Sequence, residues 1–185
     1  MLAMLPGRRA LSLGLGAVAL LAAAGVGADS STAAAPAASP TALGGGKHKV
    51  PEAVRVPAGN RAVATMDAKG VQVYQCTAGT WTFLEPAAVL GHGSRTAIHF
   101  RGPSWESTQD GSLVEGSAVA SSPVPGAIAQ LLLKATRTRG SGVFGAVTYI
   151  QRLETKGGLA PTGACQDGET RGVPYAAEYV FFARA

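Results

Sequence analysis

Residues 99–112 hold the densest set of groups in this chain that could do chemistry: the His99 imidazole, the Arg101 guanidinium, the Trp105 indole, the carboxylates of Glu106 and Asp110, and a hydroxyl. An imidazole backed by a carboxylate is a common proton-transfer pair, so His99 with Glu106 or Asp110 reads as a candidate general base and its partner. Gly102 with Pro103, and Asp110 with Gly111, are turn signals, and loops on a rigid scaffold are where such groups gather. The segment between the two turns therefore reads as a loop at one end of the scaffold. Trp105 is expected on the floor of a cleft there, with His99, Glu106 and Arg152 near its rim. An indole supplies apolar area and one donor, which suits a sugar or another ring. The plainer reading of the same residues is architectural: Trp105 packs in the core, Asp110 caps its own turn, and His99 hydrogen-bonds within a strand.

Other chemistries are less well supplied. Gly102, Pro103, Ser104, Trp105 and Glu106 come one position short of a nucleophile elbow, because the last of them is Glu where Gly is needed. Glu106, Asp110 and Glu115 could pair for glycoside cleavage, but a chain of this size offers such a trio by chance. The three histidines, His48, His92 and His99, are not closely spaced, so no metal is expected. Gly140, Gly142 and Gly145 have Gly-x-Gly-x-x-Gly spacing but lead into an expected strand and not a helix, so no turn between strand and helix is present and no cofactor is expected. Tyr74, Trp81, Trp105 and Tyr149 could form a stacking surface. Arg152 could meet an anionic ligand or pair with Glu154 or Glu178.

The elements that must position these groups follow from the rest of the 185 residues. Arg8 and Arg9, an apolar run over residues 10–25, and the small residues Val26, Gly27 and Ala28 make residues 1–28 an export signal, cleaved after Ala28. The Arg pair also permits a twin-arginine route, although its flanks match poorly. The chain is thus expected to be secreted, extracellular or wall-associated, with no membrane anchor left after cleavage. Residues 29–46 are Ala, Ser, Thr, Pro and Gly with one charge, a composition that cannot bury a core and reads as a flexible spacer. One domain, 47–185, follows. Without Arg8 and Arg9, 14 basic and 11 acidic residues remain, a net charge of +3. The basic residues are scattered, with Arg137 and Arg139 together in one turn region, too little for a nucleic-acid footprint. A monomer is expected, with a small molecule, glycan or protein as partner.

The domain is rich in Gly and poor in charge, and its apolar period is mostly two, which reads as all-β. Residues 70–85 form a hairpin turning at Ala78 and Gly79, with Trp81, Phe83 and Glu85 on one side of its second strand. Strands follow at 96–100, 112–121, 143–153 and 175–183, with a loop at 121–126. Residues 128–135 suit either a helix or a strand, and the glycines at 140 and 142 favour a strand in a long hairpin. Seven to nine strands in an antiparallel sandwich or closed barrel are expected. Cys76 and Cys165, 89 positions apart, should form one disulfide in an oxidising compartment.

Many of these residues recur together in one order. Gly70, Val71, Gln72, Val73, Tyr74, Gln75 and Cys76 are followed by Trp81, Phe83, Pro86 and Leu90. Then come His99, Phe100, Gly102, Pro103, Ser104 and Trp105, and Asp110, Gly111 and Ser112. Leu131, Leu132, Leu133, Tyr149, Ile150, Gln151, Arg152, Thr155, Gly157, Gly158, Pro161 and Cys165 follow, and Val173, Pro174, Tyr175 and Tyr179 close the pattern. Across residues 50–182 this resembles domain of unknown function 3455, a family of secreted bacterial and fungal proteins. The resemblance implies a secreted domain and brings no catalytic or binding residues with it. From the residues themselves, a non-enzymatic binding module for a small molecule, glycan or protein is the first expectation. A hydrolase using His99 with Glu106 or Asp110 is the second. A secreted protein inhibitor is the third, since the strand through Tyr74, Gln75 and Cys76 faintly resembles periplasmic lysozyme inhibitors.

Overall fold

The computed structural model describes residues 49–185. The expected export signal 1–28, the expected spacer 29–46, the expected domain start at 47 and His48 lie outside the described residues. A short 3-10 turn, Glu52–Val54, precedes eight strands: β1 Asn60–Thr77, β2 Thr80–His92, β3 Arg95–Phe100, β4 Ser104–Ser107, β5 Leu113–Val124, β6 Ala127–Arg139, β7 Val147–Gly157 and β8 Thr170–Arg184. Each strand pairs antiparallel with the next, and β8 returns to pair with β1, so one sheet closes on itself as a barrel. Of the two architectures the pattern allowed, this is the closed one. Residues 128–135 are strand, not helix.

Antiparallel order puts the connections alternately at two ends. The turns at 78–79, 101–103 and 125–126 and the long connection 158–169 share the upper end. The turns at 93–94, 108–112 and 140–146 share the lower end. This corrects the reading of 102–111 as one loop. Ser104–Ser107 is a strand, so the turn at Gly102 and the turn at Gly111 lie at opposite ends of the barrel.

Alternation sends every second side chain inward. Met66, Leu90, Val114, Phe144, Ile150 and Phe181 fill the lower part of the interior, with the rings of Phe144 and Phe181 centred 4.5 Å apart. A bulge in β2 opposite Val73 and Tyr74 resets the alternation. Above it Trp81 and Phe83 share the face of Tyr74 and Cys76, while Glu85 is displaced to the outside, where it pairs with Arg101 at 3.0 Å. Trp81, Phe83 and Glu85 therefore do not share one side, as unbroken alternation suggested.

The apolar character of residues 128–135 on both faces has a separate cause. Leu133 belongs to the interior, whereas Leu132 faces outward with Leu153 and Val180. That outer patch is covered by the N-terminal segment, where Val50, Val54 and Val56 pack against it. Gln151, buried on the same side, donates from Nε2 to the Val54 carbonyl at 2.6 Å and ties the segment down.

At the upper end Cys76 and Cys165 are bonded, with their Cα atoms 5.9 Å apart. The bridge anchors the connection 158–169 to β1. Backbone bonds from Cys76 N to Glu169 O, 2.8 Å, and from Gly168 N to Cys76 O, 3.1 Å, flank it. The connection leaves β7 through Gly157 and Gly158, both at positive φ. A Cβ on Gly157 would lie 2.7 Å from Pro174 O, so the exit needs glycine there. Cys165→Ala should lower unfolding stability by about 2–5 kcal/mol, because the loop closed by the bridge is long. Chemical denaturation with matched m-values checks this; an unchanged midpoint contradicts it.

Candidate functional site

The upper half of the barrel is not filled. A cavity of about 400 Å³ remains there, within the size range of small-molecule sites. Its existence follows from what the strands place inward. Gly70 faces the interior where β1 and β2 approach so closely that a Cβ would sit 2.2 Å from Ala87 O. Ala118 and Ala129 supply little bulk on β5 and β6. The walls are mostly apolar, with Ile128, Leu131 and Leu133 on one side and Trp105 on the other. Phe83, 55% exposed, and Ala118, also exposed, stand at the mouth. The Tyr74 ring meets Phe83 edge-on at 5.9 Å, and its hydroxyl donates to Gly158 O at 2.6 Å, tying the mouth to the stapled connection.

Three of the residues singled out in the sequence line this cavity: His99, Trp105 and Arg152. His99 and Trp105 are register partners on β3 and β4. Their rings stack at 4.4 Å with 7° between planes, and Tyr179 stands edge-on to both. His99 Nδ1 lies 2.8 Å from Ser104 O. A carbonyl accepts only, so Nδ1 carries the proton and Nε2 holds the lone pair in the neutral ring. Burial disfavours the imidazolium and pushes His99 down to about 4. The Ser104 carbonyl opposes that shift, and the Arg152 charge adds to it.

Glu106 and Asp110 are elsewhere. Strand alternation turns Glu106 away from Trp105 to the outer face, where it pairs with Arg139 at 2.7 Å. Glu115 pairs likewise with Arg137. The Arg137 and Arg139 side chains are thus spent on cross-strand ion pairs. Asp110 is at the lower end. Its Oδ1 accepts from Ser112 N at 2.9 Å and Ser112 Oγ at 2.6 Å, and its Oδ2 from Val143 N at 3.1 Å. These bonds, led by the Ser112 hydroxyl, hold its carboxyl down to about 2. A Cβ on Gly142 would strike that carboxylate at 2.2 Å, so the 140–146 turn is shaped around it. Asp110 latches two lower turns together. The expected rim of His99, Glu106 and Arg152 is corrected accordingly: His99 has neither carboxylate as a hydrogen-bond partner.

The four aromatic residues considered as a stacking surface also separate. Tyr74 and Trp105 line the cavity. Trp81 packs with the disulfide in a small upper core, with Arg171 5.0 Å above its ring, and Tyr149 lies on the outer patch. Sequence reasoning missed Gln72, Tyr175 and Tyr179 as interior groups of the upper half. Their positions on the same strand faces as Tyr74 and Phe181 were the available signal. Trp105 Nε1 is buried without a hydrogen-bond partner, and Gln72 Nε2 and the Tyr175 and Tyr179 hydroxyls are buried with no bond of good geometry, although Tyr175 lies close to Tyr179 and Gln72, and Tyr179 close to Arg152. Burial raises both tyrosines above the ordinary phenol value. Among the described residues no group of three His, Cys, Asp or Glu is arranged to hold a metal ion.

A buried neutral imidazole has a thermodynamic signature. The unfolded chain binds a proton near pH 6.5 that the native state refuses until about pH 4. Stability present above pH 6.5 is therefore lost as pH falls through this window, by about 3 kcal/mol at most from this group. Nitrogen-15 NMR of the imidazole should show the Nδ1-protonated tautomer and a titration near pH 4. A midpoint near 6.5 contradicts the burial argument.

No curated protein and no solved structure matches this chain. The match to a family model spans residues 88–183, from late β2 to the end of β8. It is narrower than the resemblance read over 50–182: it takes in His99, Trp105, Arg152 and Tyr179 and leaves out β1 with Gln72 and Cys76. That span is more than half of the chain, and the chain belongs to the family described as a protein of unknown function, domain of unknown function 3455.

Proposed function

We propose that the barrel is a non-enzymatic binding module that takes a small organic molecule into the upper cavity. One observation carries this reading: a cavity of about 400 Å³ with mostly apolar walls and a few polar groups, His99, Gln72, Arg152 and Tyr179 among them. Sites for small ligands combine largely apolar walls with a few placed polar groups in this way. An interior recess suits a small molecule better than a glycan chain or a protein surface. The neutral, buried His99 bonds to a backbone carbonyl and not to a carboxylate, so it acts as a wall of the site in this reading. Nothing observed favours the hydrolase or the inhibitor over it. On the sequence grounds given above the module works after export, a setting the disulfide suits.

Plugging the mouth tests the reading. Ala118 is exposed and lines the cavity, so Ala118→Trp adds bulk at the opening without entering the packed core. The neutral fluorophore N-phenylnaphthylamine should bind the native protein with a blue-shifted emission and lose at least about 10-fold in affinity to the variant, while the melting temperature moves by only a few degrees. Equal binding by both proteins contradicts the proposal.

A further inference from the structure

The cavity holds a cation. Arg152 on β7 is the register partner of Tyr179 on β8, and it lines the recess. Its Nε and Nη2 donate to Ala129 O at 3.1 and 2.9 Å, which leaves the Nη1 hydrogens and one on Nη2, of which the nearby Tyr179 hydroxyl can take one. Arg55, Arg101, Arg137, Arg139 and Arg171 each pair with a glutamate on the surface, and Arg152 is not in those five pairs. Its charge is felt by Tyr74, His99, Tyr175 and Tyr179, which places it among them. A half-buried guanidinium in apolar surroundings is costly without an opposite charge.

The neighbouring groups point to the same need. Gln72 Nε2, an N–H donor, and the Tyr175 and Tyr179 hydroxyls, which can donate, are buried close to one another and to Arg152 with no bond of good geometry among them. His99 keeps its proton on the Ser104 side and adds no charge. A set of donors around one cation calls for a group that only accepts and carries a negative charge. One arginine matches a single charge better than the double charge of a phosphate monoester. The rest of the wall, Ile128, Leu131, Leu133 and Trp105, asks for an apolar body. We infer that the ligand is an organic carboxylate with an apolar body, its carboxylate held by Arg152 and the Tyr175 and Tyr179 hydroxyls. The inference rests on the binding-module reading and specifies its ligand class.

Matched acids and alcohols separate the two. Decanoate is compared with decanol, and phenylpropanoate with phenylpropanol, by quenching of tryptophan fluorescence and by calorimetry at neutral pH. The native protein should prefer each acid over its alcohol by at least about 10-fold. Arg152→Gln should weaken acid binding about 10- to 100-fold and change alcohol binding by less than about 3-fold. Tyr179→Phe, which removes only a hydroxyl, should weaken the acid more than the alcohol, and it stands as the second variant if Arg152→Gln fails to fold. Equal affinity for acid and alcohol, or equal losses for both in the variants, overturns the carboxylate inference and leaves the binding module in place. Failure of every probe, the neutral fluorophore included, to bind the native protein overturns both.

Discussion

Pairing of β1 with β8 constrains everything else in this domain. Once the eighth strand bonds to the first, the sheet has no free edge between them, and the interior width is set by strand number and tilt. The side chains sent inward must then fill a space of given size. The lower half does so with Phe144, Phe181, Met66 and Leu90. The upper half carries Gly70, Ala118 and Ala129 at inward positions and cannot. Closure turns that shortage of bulk into a cavity; an open sheet could collapse around it.

The two ends divide the work. At the lower end Asp110 joins the 108–112 turn to the 140–146 turn through Ser112 and Val143, and Phe144 enters the interior beneath them. A carboxylate used in this way stiffens a closed floor. At the upper end the rim is held by the Cys76–Cys165 bridge and by the bond from Tyr74 to Gly158 O. Both hold the connection back along β1, beside the opening. A site with rigid walls and a supported rim keeps its donors in place before a ligand arrives, which lowers the ordering cost of binding. Arg152 fits this arrangement. Its fork is fixed by Ala129 O, so part of its rotamer freedom is already lost in the free protein.

The strands were largely legible in the sequence, and the site only in part. The hairpin at 70–85 and the strand at 96–100 follow from period-two alternation and turn residues. The disulfide follows from the cysteine pair in a chain read as exported. β4 was hidden because four residues between two strong turn signals carry no period, and that omission put Asp110 and Trp105 on one loop when they belong to different levels of the barrel. The bulge in β2 is likewise invisible to simple alternation, and it decides that Phe83 faces the mouth while Glu85 faces Arg101. Residues 128–135 resembled a helix because both faces are apolar, and the outer face is apolar only because residues 50–56 cover it. His99 and Trp105 are near in sequence and meet by pairing of β3 with β4, whereas Arg152 on β7 is distant in sequence and joins them only through closure. The polar cluster of Gln72, Tyr175, Tyr179 and Arg152 could not be read at all, since it is assembled from three strands by the fold.

The position of a ligand's charged end separates binding inside the barrel from binding elsewhere. A crystal structure of the domain with phenylpropanoate tests it most directly. The predicted result is a carboxylate about 2.7–2.9 Å from the Arg152 guanidinium, within reach of the Tyr179 hydroxyl, with the phenyl ring against Trp105 inside the barrel. A ligand bound on the outer surface, or an upper half closed by its own side chains with Arg152 turned out to solvent, would contradict it.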